Sequence, residues 1–406
     1  MPLVGTGYGG ASDRAGRVVH VLLPVLYELA QRHDVDIALI TNDGPSHAAA
    51  LAERARIPVE RAWPAELDEG RRTEAERLAT HARAGNLVLF AGAGVSMAAG
   101  LPGWAELLIE LAKEARITKN ETAGDAFRAL ASLDRARLVE SRLQAQGVRT
   151  IGEAAAEFIG RHEHYALGHL FVGGLPARGA VTTNYDQLYE NAASDLGKPV
   201  SVLPYQPTAA SSTWLLKLHG CVTAPEDIVL TRADYLRYDQ RRAALRGVVQ
   251  AMLLTRHMLF VGFSLNDDNF HRIVDDVRRA VRGEYAQEGA QRKGSPLATT
   301  LSIEDNPFFE ELWSDDIRRV DLHAGSTLAS ARLCDVFLDY LASHSTGTTS
   351  HLMDRRYEGV LSEAEIEVRD AIASLPETLS EEAKDTDAWR ALVRWMSKLG
   401  LDPAGS

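Results

Sequence analysis

The chain is short of cysteine, of positive charge and of long apolar runs, and each shortage excludes something. Its 406 residues include two cysteines, Cys221 and Cys334, far apart in the sequence. Two such residues build neither a disulfide framework nor a four-cysteine zinc site, so no zinc is expected and a reduced, cytoplasmic setting fits. Lys and Arg number 44 against 56 Asp and Glu, a formal net charge of -12, which argues against a surface that coats nucleic acid. No stretch approaches the roughly 20 apolar residues that span a bilayer, and no basic segment with an apolar core opens the chain. Neither a membrane span nor a signal peptide is expected.

What is present is organised around Leu87–Trp104, LVLFAGAGVSMAAGLPGW. Leu87 to Phe90 is a continuous apolar run of the kind buried on both faces of a parallel sheet, and it meets Gly92-Ala93-Gly94 directly. The pattern predicts strand, tight turn, helix. Glycines there allow close backbone approach, and the N–H groups of a following helix suit phosphate oxygens. The turn is either a diphosphate cradle or a turn and nothing more; Met97 stands where a dinucleotide fingerprint has its third glycine. Beyond Pro102, Trp104, Leu107, Leu108 and Leu111 recur at helical spacing and form a core-facing stripe.

Three further short apolar runs end in polar or small groups. Ala180–Thr183 leads into Asn184-Tyr185-Asp186, Trp214–Leu218 into His219-Gly220, and Met258–Gly262 into Phe263-Ser264-Leu265-Asn266-Asp267. Ligands of open α/β sheets sit at the carboxyl ends of strands. Taken singly, Asn184 or Asp186 also reads as an Asx turn or helix cap, and His219 as a structural histidine. Lys119 to Gly168 is rich in Ala, Leu, Arg and Glu and predicts an inserted layer of short helices. His162, His164 and His169 in and beside it are assigned to helix surface or core, with no metal.

Two segments flank this region. Residues 1–80 carry Gly5-Thr6-Gly7-Tyr8-Gly9-Gly10, a helical pattern ending near His33 and an apolar run, Val35 to Ile40, read as a strand. This predicts a small α/β module that resembles macro-like, ADP-ribose-type folds. Only Pro2-Leu3-Val4 stands between Met1 and Gly5, so the module is read as incomplete and Met1 as other than the natural start. Residues 66–85 read as a connecting helix. In 351–406, Ser362 and Glu365 match a capping box with Leu361 and Ile366 as its staple. A second tail helix after Asp387 carries Trp389, Leu392, Val393, Met396 and Leu399 on one face, to be buried on its own core or at an interface.

In order, GAGVS with GLPGW, TTNYD, KLHG and VGFSLND resemble the sirtuin-like family over about residues 86–344, and within it the bacterial branch that hydrolyses NAD in antiphage defence. The resemblance implies a Rossmann-like parallel sheet with an inserted helical layer, the NAD diphosphate at Gly92, Ala93, Gly94 and Ser96, and the nicotinamide ribose at Asn184 and Asp186, with Thr183 among the NAD-binding residues. It further implies His219 as the catalytic histidine and contacts to the adenosine half from Gly262, Ser264 and Asp267. Missing cysteines, and Gly103-Trp104 where the deacylases have a phenylalanine-arginine pair, argue against peptide deacylation.

The activity so implied is hydrolysis of NAD, as substrate, to nicotinamide and ADP-ribose. Asn184 and Asp186 would orient the ribose or water, and His219 would take the proton. Family members work as oligomers or with a partner such as a HerA-like ATPase, a prokaryotic Argonaute or a ligand-sensing domain. A homo-oligomer with a separate partner chain is expected here. Two rival readings remain: an NAD- or ADP-ribose-sensing regulatory subunit without turnover, and an NAD-dependent deacylase or ADP-ribosyl transferase.

Overall fold

The computed structural model describes residues 1–3, 10–118, 120–147, 149–208, 213–282, 296–313, 316–347 and 349–401. They form two compact units, one of Glu66–Ser345 and one of Met1–Ala65 with Thr346–Ser406.

The larger unit is built on a parallel sheet. Among the described residues it has seven strands: β1 (Leu87–Ala91), β2 (Ala180–Thr182), β3 (Val200–Leu203), β4 (Thr213–Lys217), β5 (His257–Val261), β6 (Ala298–Ser302) and β7 (Ile317–Asp321). Their order is β3-β4-β2-β1-β5-β6-β7. From β1 the chain goes to β2 and the edge strand β3, returns to β4 between those two, then crosses to β5 on the other side, so strand order reverses between β1 and β5. Register decides what the far edge presents: Ala91 pairs with Thr182 and with Val261, and Thr182 pairs with Lys217. Four strands therefore end level, and the next residues of each leave the sheet at one edge.

Both sheet faces are covered, which is why β1 and β5 are buried throughout and apolar but for His257. On one face Phe90, Phe260, Phe263 and Phe270 pack with ring centroids 4.5–5.9 Å apart. The expected helical layer is present as Trp104–Glu114, Glu121–Ala129, Ser132–Ala145 and Ile151–Gly160, meeting over Leu108, Leu111, Phe127, Val139 and Leu143. The 66–85 helix, Glu69–Arg83, belongs to this unit. It buries Ala75, Leu78, Ala79 and Ala82, and its Arg77 donates to Thr299 Oγ1 on β6 (2.7 Å).

The smaller unit joins the two chain ends, which the sequence presents as separate segments, 1–80 and 351–406. The helix Ala15–His33 stops where expected, with Asp34 in the left-handed region. It lies so close to the 355–360 turn that a Cβ on Gly16 would come within 2.7 Å of Tyr357 Cα. Ser46 Oγ and Tyr357 OH are 2.6 Å apart, and Arg56 donates to the Val360 carbonyl. The Ser362–Glu365 capping box forms, opening the helix Glu363–Thr378, and the last helix is Asp387–Lys398.

One expectation fails here. Val35 to Ile40 is not a strand: its sole ladder contact among the described residues is the single parallel bridge Pro2–Ile40, and Val35 and Ile40 stay about half exposed. A lone bridge gives the run no ladder to extend; Ile37 and Leu39 are half-buried, Leu39 against the Leu3–Val19 cluster, and the alternate side chains face out. The small α/β module expected in 1–80 is thus helical in its described part. The glycine turn at 5–9 and the polar stretch at 283–295 lie outside the described residues.

Candidate active site

Gly92 leaves β1 as the cap of a one-turn helix, Ala93–Met97, which presses on the loop after β5. Gly94 N–H donates to the Gly262 carbonyl (2.9 Å), and Gly92 N–H to the Val261 carbonyl (2.9 Å). A Cβ on Gly92 would lie 2.4 Å from Gly262 O, and one on Gly262, whose φ is +64°, 2.5 Å from Val95 N. These glycines are required by the fit of two loops at the reversal point of the sheet. Ala93 and Gly94 remain exposed there, while Val95 and Ser96 are buried.

Ser96 is the hub of the first cluster. Its hydroxyl donates to Asp186 Oδ2 (2.9 Å) and accepts from Asn184 Nδ2 (3.1 Å). His169 Nε2 stands 3.3 Å away. Because Ala166 N–H donates to His169 Nδ1 (3.2 Å), the Nε2 atom carries the proton and faces Ser96 as a donor. With one donation and two acceptances the Ser96 hydroxyl is saturated, so it holds its neighbours in place. Asn184 Nδ2 also donates to the Gly92 carbonyl (3.0 Å), which fixes the amide orientation and leaves Oδ1 to accept from elsewhere. Asp186 Oδ1 accepts from Leu188 N–H (3.0 Å), an Asx turn at the start of the helix Leu188–Asp195.

Beneath this cluster lies a charge that motif reading passed over. Lys217, the last residue of β4, is fully buried; its Nζ is 2.9 Å from Glu190 Oε1 and donates to the Asp186 carbonyl. Burial opposes the ammonium, and the nearby Glu190 carboxylate outweighs it, holding the lysine above its usual value. Ser96, His169, Asn184, Asp186, Glu190 and Lys217 line a void of about 10 Å³, room for a single water.

The second cluster surrounds His219, in the loop after β4. Its side chain is 6% exposed, and Nε2, which has no hydrogen-bond partner among the described residues, is 3.5 Å from Asp267 Oδ2. Tyr235 and Tyr238, from the helix Arg232–Thr255, stand edge-on to the imidazole at 5.9 Å. Burial pushes the His219 value down, Asp267 opposes this, and Arg242 adds to the lowering. Gly220 follows with φ +101°, where a Cβ would meet Asp227 O at 2.6 Å. The two clusters are stitched through Tyr185: Val222 N–H donates to its carbonyl (2.9 Å), its hydroxyl donates to Val229 O (2.8 Å), and Val229 N–H donates to His219 O (2.8 Å).

Of the remaining expected site residues, Thr183 is half-buried between Thr182 and Asn184, and Ser264 is exposed beyond Gly262. Asp267 stands with His219. Missed by sequence reasoning were His169, Glu190, Lys217 and Tyr235; a lysine inside the apolar run WLLKL was the one available signal, since buried lysines need a partner. Among the described residues no group of three or more His, Cys, Asp or Glu is placed to hold a metal, and no helix is long and apolar enough to cross a membrane.

A parallel sheet whose level strand ends carry a glycine turn, an Asn-x-Asp turn and a buried His-Gly defines a Rossmann-like α/β fold with its candidate site at the carboxyl edge of the sheet. Residues 178–302, from before β2 to the end of β6, match the family model described as SIR2-like domain. Among curated proteins the chain is similar to the NAD(+) hydrolase ThsA of Enterococcus faecium, 31% identical over 207 residues, covering 49% of this chain and 41% of that one. The NAD(+) hydrolase ThsA of Bacillus cereus is 31% identical over 202 residues (48% and 40%), and the defense-associated sirtuin 2 of Bacillus subtilis 26% over 211 (50% and 20%). The chain thus spans less than half the length of these relatives.

Proposed function

We propose that this chain is an NAD+ hydrolase that releases nicotinamide and ADP-ribose, acting as an antiphage-defence effector that depletes NAD+ when activated. The observation that carries the reading is the side-by-side pair of clusters at one sheet edge, an orientation-locked Asn184 and a buried, neutral-leaning His219. The names of the similar proteins support it.

In the reaction, the bond from ribose C1′ to the nicotinamide nitrogen breaks, and its electron pair leaves with neutral nicotinamide. The oxygen of water bonds to C1′, and the water proton goes to His219. Asn184 Oδ1 orients a ribose hydroxyl or the water, and Asp186 stabilises the cationic sugar. Because burial lowers the His219 value, the imidazole stays an unprotonated acceptor through neutral pH. The void beside Ser96 is far too small for a dinucleotide. NAD therefore lies along the open edge, with its diphosphate at Gly92, Ala93, Gly94 and Ser96, its nicotinamide ribose at Thr183, Asn184 and Asp186, and its adenosine half towards Gly262 and Ser264.

Control of so costly a reaction is assigned to the unit of the two chain ends, to homo-oligomerisation and to a separate partner chain. The test is NAD consumption by the full 406-residue chain, with nicotinamide and ADP-ribose read by chromatography. Both products are expected, with His219→Ala lowering turnover about 10²–10⁴-fold and leaving NAD binding in place. Binding without turnover, with or without candidate partners, would favour the sensor reading; deacylated peptide as a product would favour the deacylase.

A further inference from the structure

We infer that Asp267 is a positioning residue for His219, fixing its tautomer and orientation, and that Tyr235 in turn holds Asp267. The inference rests on the hydrolase reading of the same site.

Three observations converge. His219 Nε2 is a buried polar atom with no hydrogen bond among the described residues, and Asp267 Oδ2 stands 3.5 Å from it. An ionised carboxylate only accepts, so the nitrogen facing it carries the proton. The lone pair is then on Nδ1, the atom that accepts the substrate proton. Both Asp267 oxygens already have protein partners: Oδ1 accepts from Phe270 N–H (2.9 Å), capping the helix Asp268–Arg282, and Oδ2 accepts from Tyr235 OH (3.2 Å). The carboxylate is thus anchored from the helix start and from the tyrosine, beside the imidazole. A shift of a few tenths of an ångström closes the Nε2–Oδ2 separation to a hydrogen bond, the tightening that catalytic pairs undergo when substrate binds.

The charged and titratable groups that face His219 are few. The helix Arg232–Thr255 supplies Tyr235, Tyr238 and Arg242. Arg242 donates to the Asp227 carbonyl in the loop that follows His219, and Tyr185 reaches the same loop. Asp267 is the group in this set that favours the imidazolium formed when His219 takes a proton. Removing its charge therefore lowers the His219 value further and weakens the base.

Asp267→Asn tests this, because asparagine retains a cap oxygen for Phe270 N–H. In the full chain labelled on histidine, the His219 NMR titration is expected to move down by on the order of one pH unit. The acid limb of kcat/KM should move to lower pH with it, with kcat down about tenfold or more and KM little changed. Tyr235→Phe should lower kcat in the parent and have no added effect on top of Asp267→Asn, since it acts through Asp267. An unmoved His219 titration in a folded Asp267→Asn chain overturns the inference, as does full additivity of the two variants. The titration needs no turnover, so a shift in a chain that fails to hydrolyse NAD leaves the pair standing and removes the hydrolase reading instead.

Discussion

Gly92 and Gly262 touch backbone to backbone at the point where the sheet reverses its order: a Cβ on the first would sit 2.4 Å from the carbonyl oxygen of the second. The glycine motif therefore serves loop packing before it serves any ligand. Gly92 has an ordinary backbone, φ -105°, so alanine there is penalised by the clash alone, whereas Gly262→Ala adds a left-handed φ of +64°. Gly92→Ala is expected to cost about 1–3 kcal/mol in urea denaturation, and Gly262→Ala more. Equal stability of both variants and parent would mean that the loops part freely and the contact is loose.

Ser96→Ala removes the hub. Asp186 Oδ2 loses its donor and Asn184 one of its two anchors, in a site where an unsatisfied polar group costs about 1–3 kcal/mol. The expected result is a fall in kcat of roughly tenfold or more, with a native circular dichroism spectrum. Ser96→Thr, which keeps the hydroxyl, should retain more activity than Ser96→Ala. Activity unchanged in Ser96→Ala would remove Ser96 from the machinery.

Lys217→Met leaves Glu190 buried without its cation, and Glu190→Met the reverse. Breaking such a pair from one side is expected to cost about 3–5 kcal/mol, while the double replacement recovers much of the loss. A double-mutant cycle by urea denaturation reads this directly. Additive losses would show the two side chains to be energetically independent.

His257 begins β5 and stacks on His81 at 4.4 Å, with its Nε2 2.8 Å from Thr299 Oγ1. Burial, with like charge from His81, Arg77 and Arg318, pushes its value down to about 3. The folded protein thus binds fewer protons here than the unfolded chain between about pH 6.5 and 3. This contribution to stability is complete above about pH 6.5 and is lost as pH falls through that window, by at most about 1.4 kcal/mol per pH unit. His257→Gln should flatten the pH dependence of urea stability between pH 7 and 5. Parallel profiles for variant and parent would place the acid sensitivity elsewhere.

How legible the protein was depends on which force fixed each part. The strand Leu87–Ala91 and the helix Trp104–Glu114 were readable because burial on both faces, or on one stripe, writes itself into periodicity. The capping box at Ser362 was readable because its partners are three residues apart. Val35 to Ile40 misled because a local apolar run says nothing about whether a partner ladder exists. His169 read as an ordinary core or surface histidine, and it is in the core, 1% exposed, but bound to Ser96. Nothing near it in the sequence announces that partner.

The sequence by itself determined the kind of sheet, the order of its motifs and the residues that end its strands, since each follows from local pattern and short spacing. Tertiary structure alone decided which of those residues meet. It set Ser96 under Asn184 and Asp186, Lys217 against Glu190, and Asp267 against His219, and it joined the two chain ends in one unit. These pairings depend on the register of parallel strands, whose partners lie far apart along the chain, and on low-dielectric burial that makes each unpaired polar group costly.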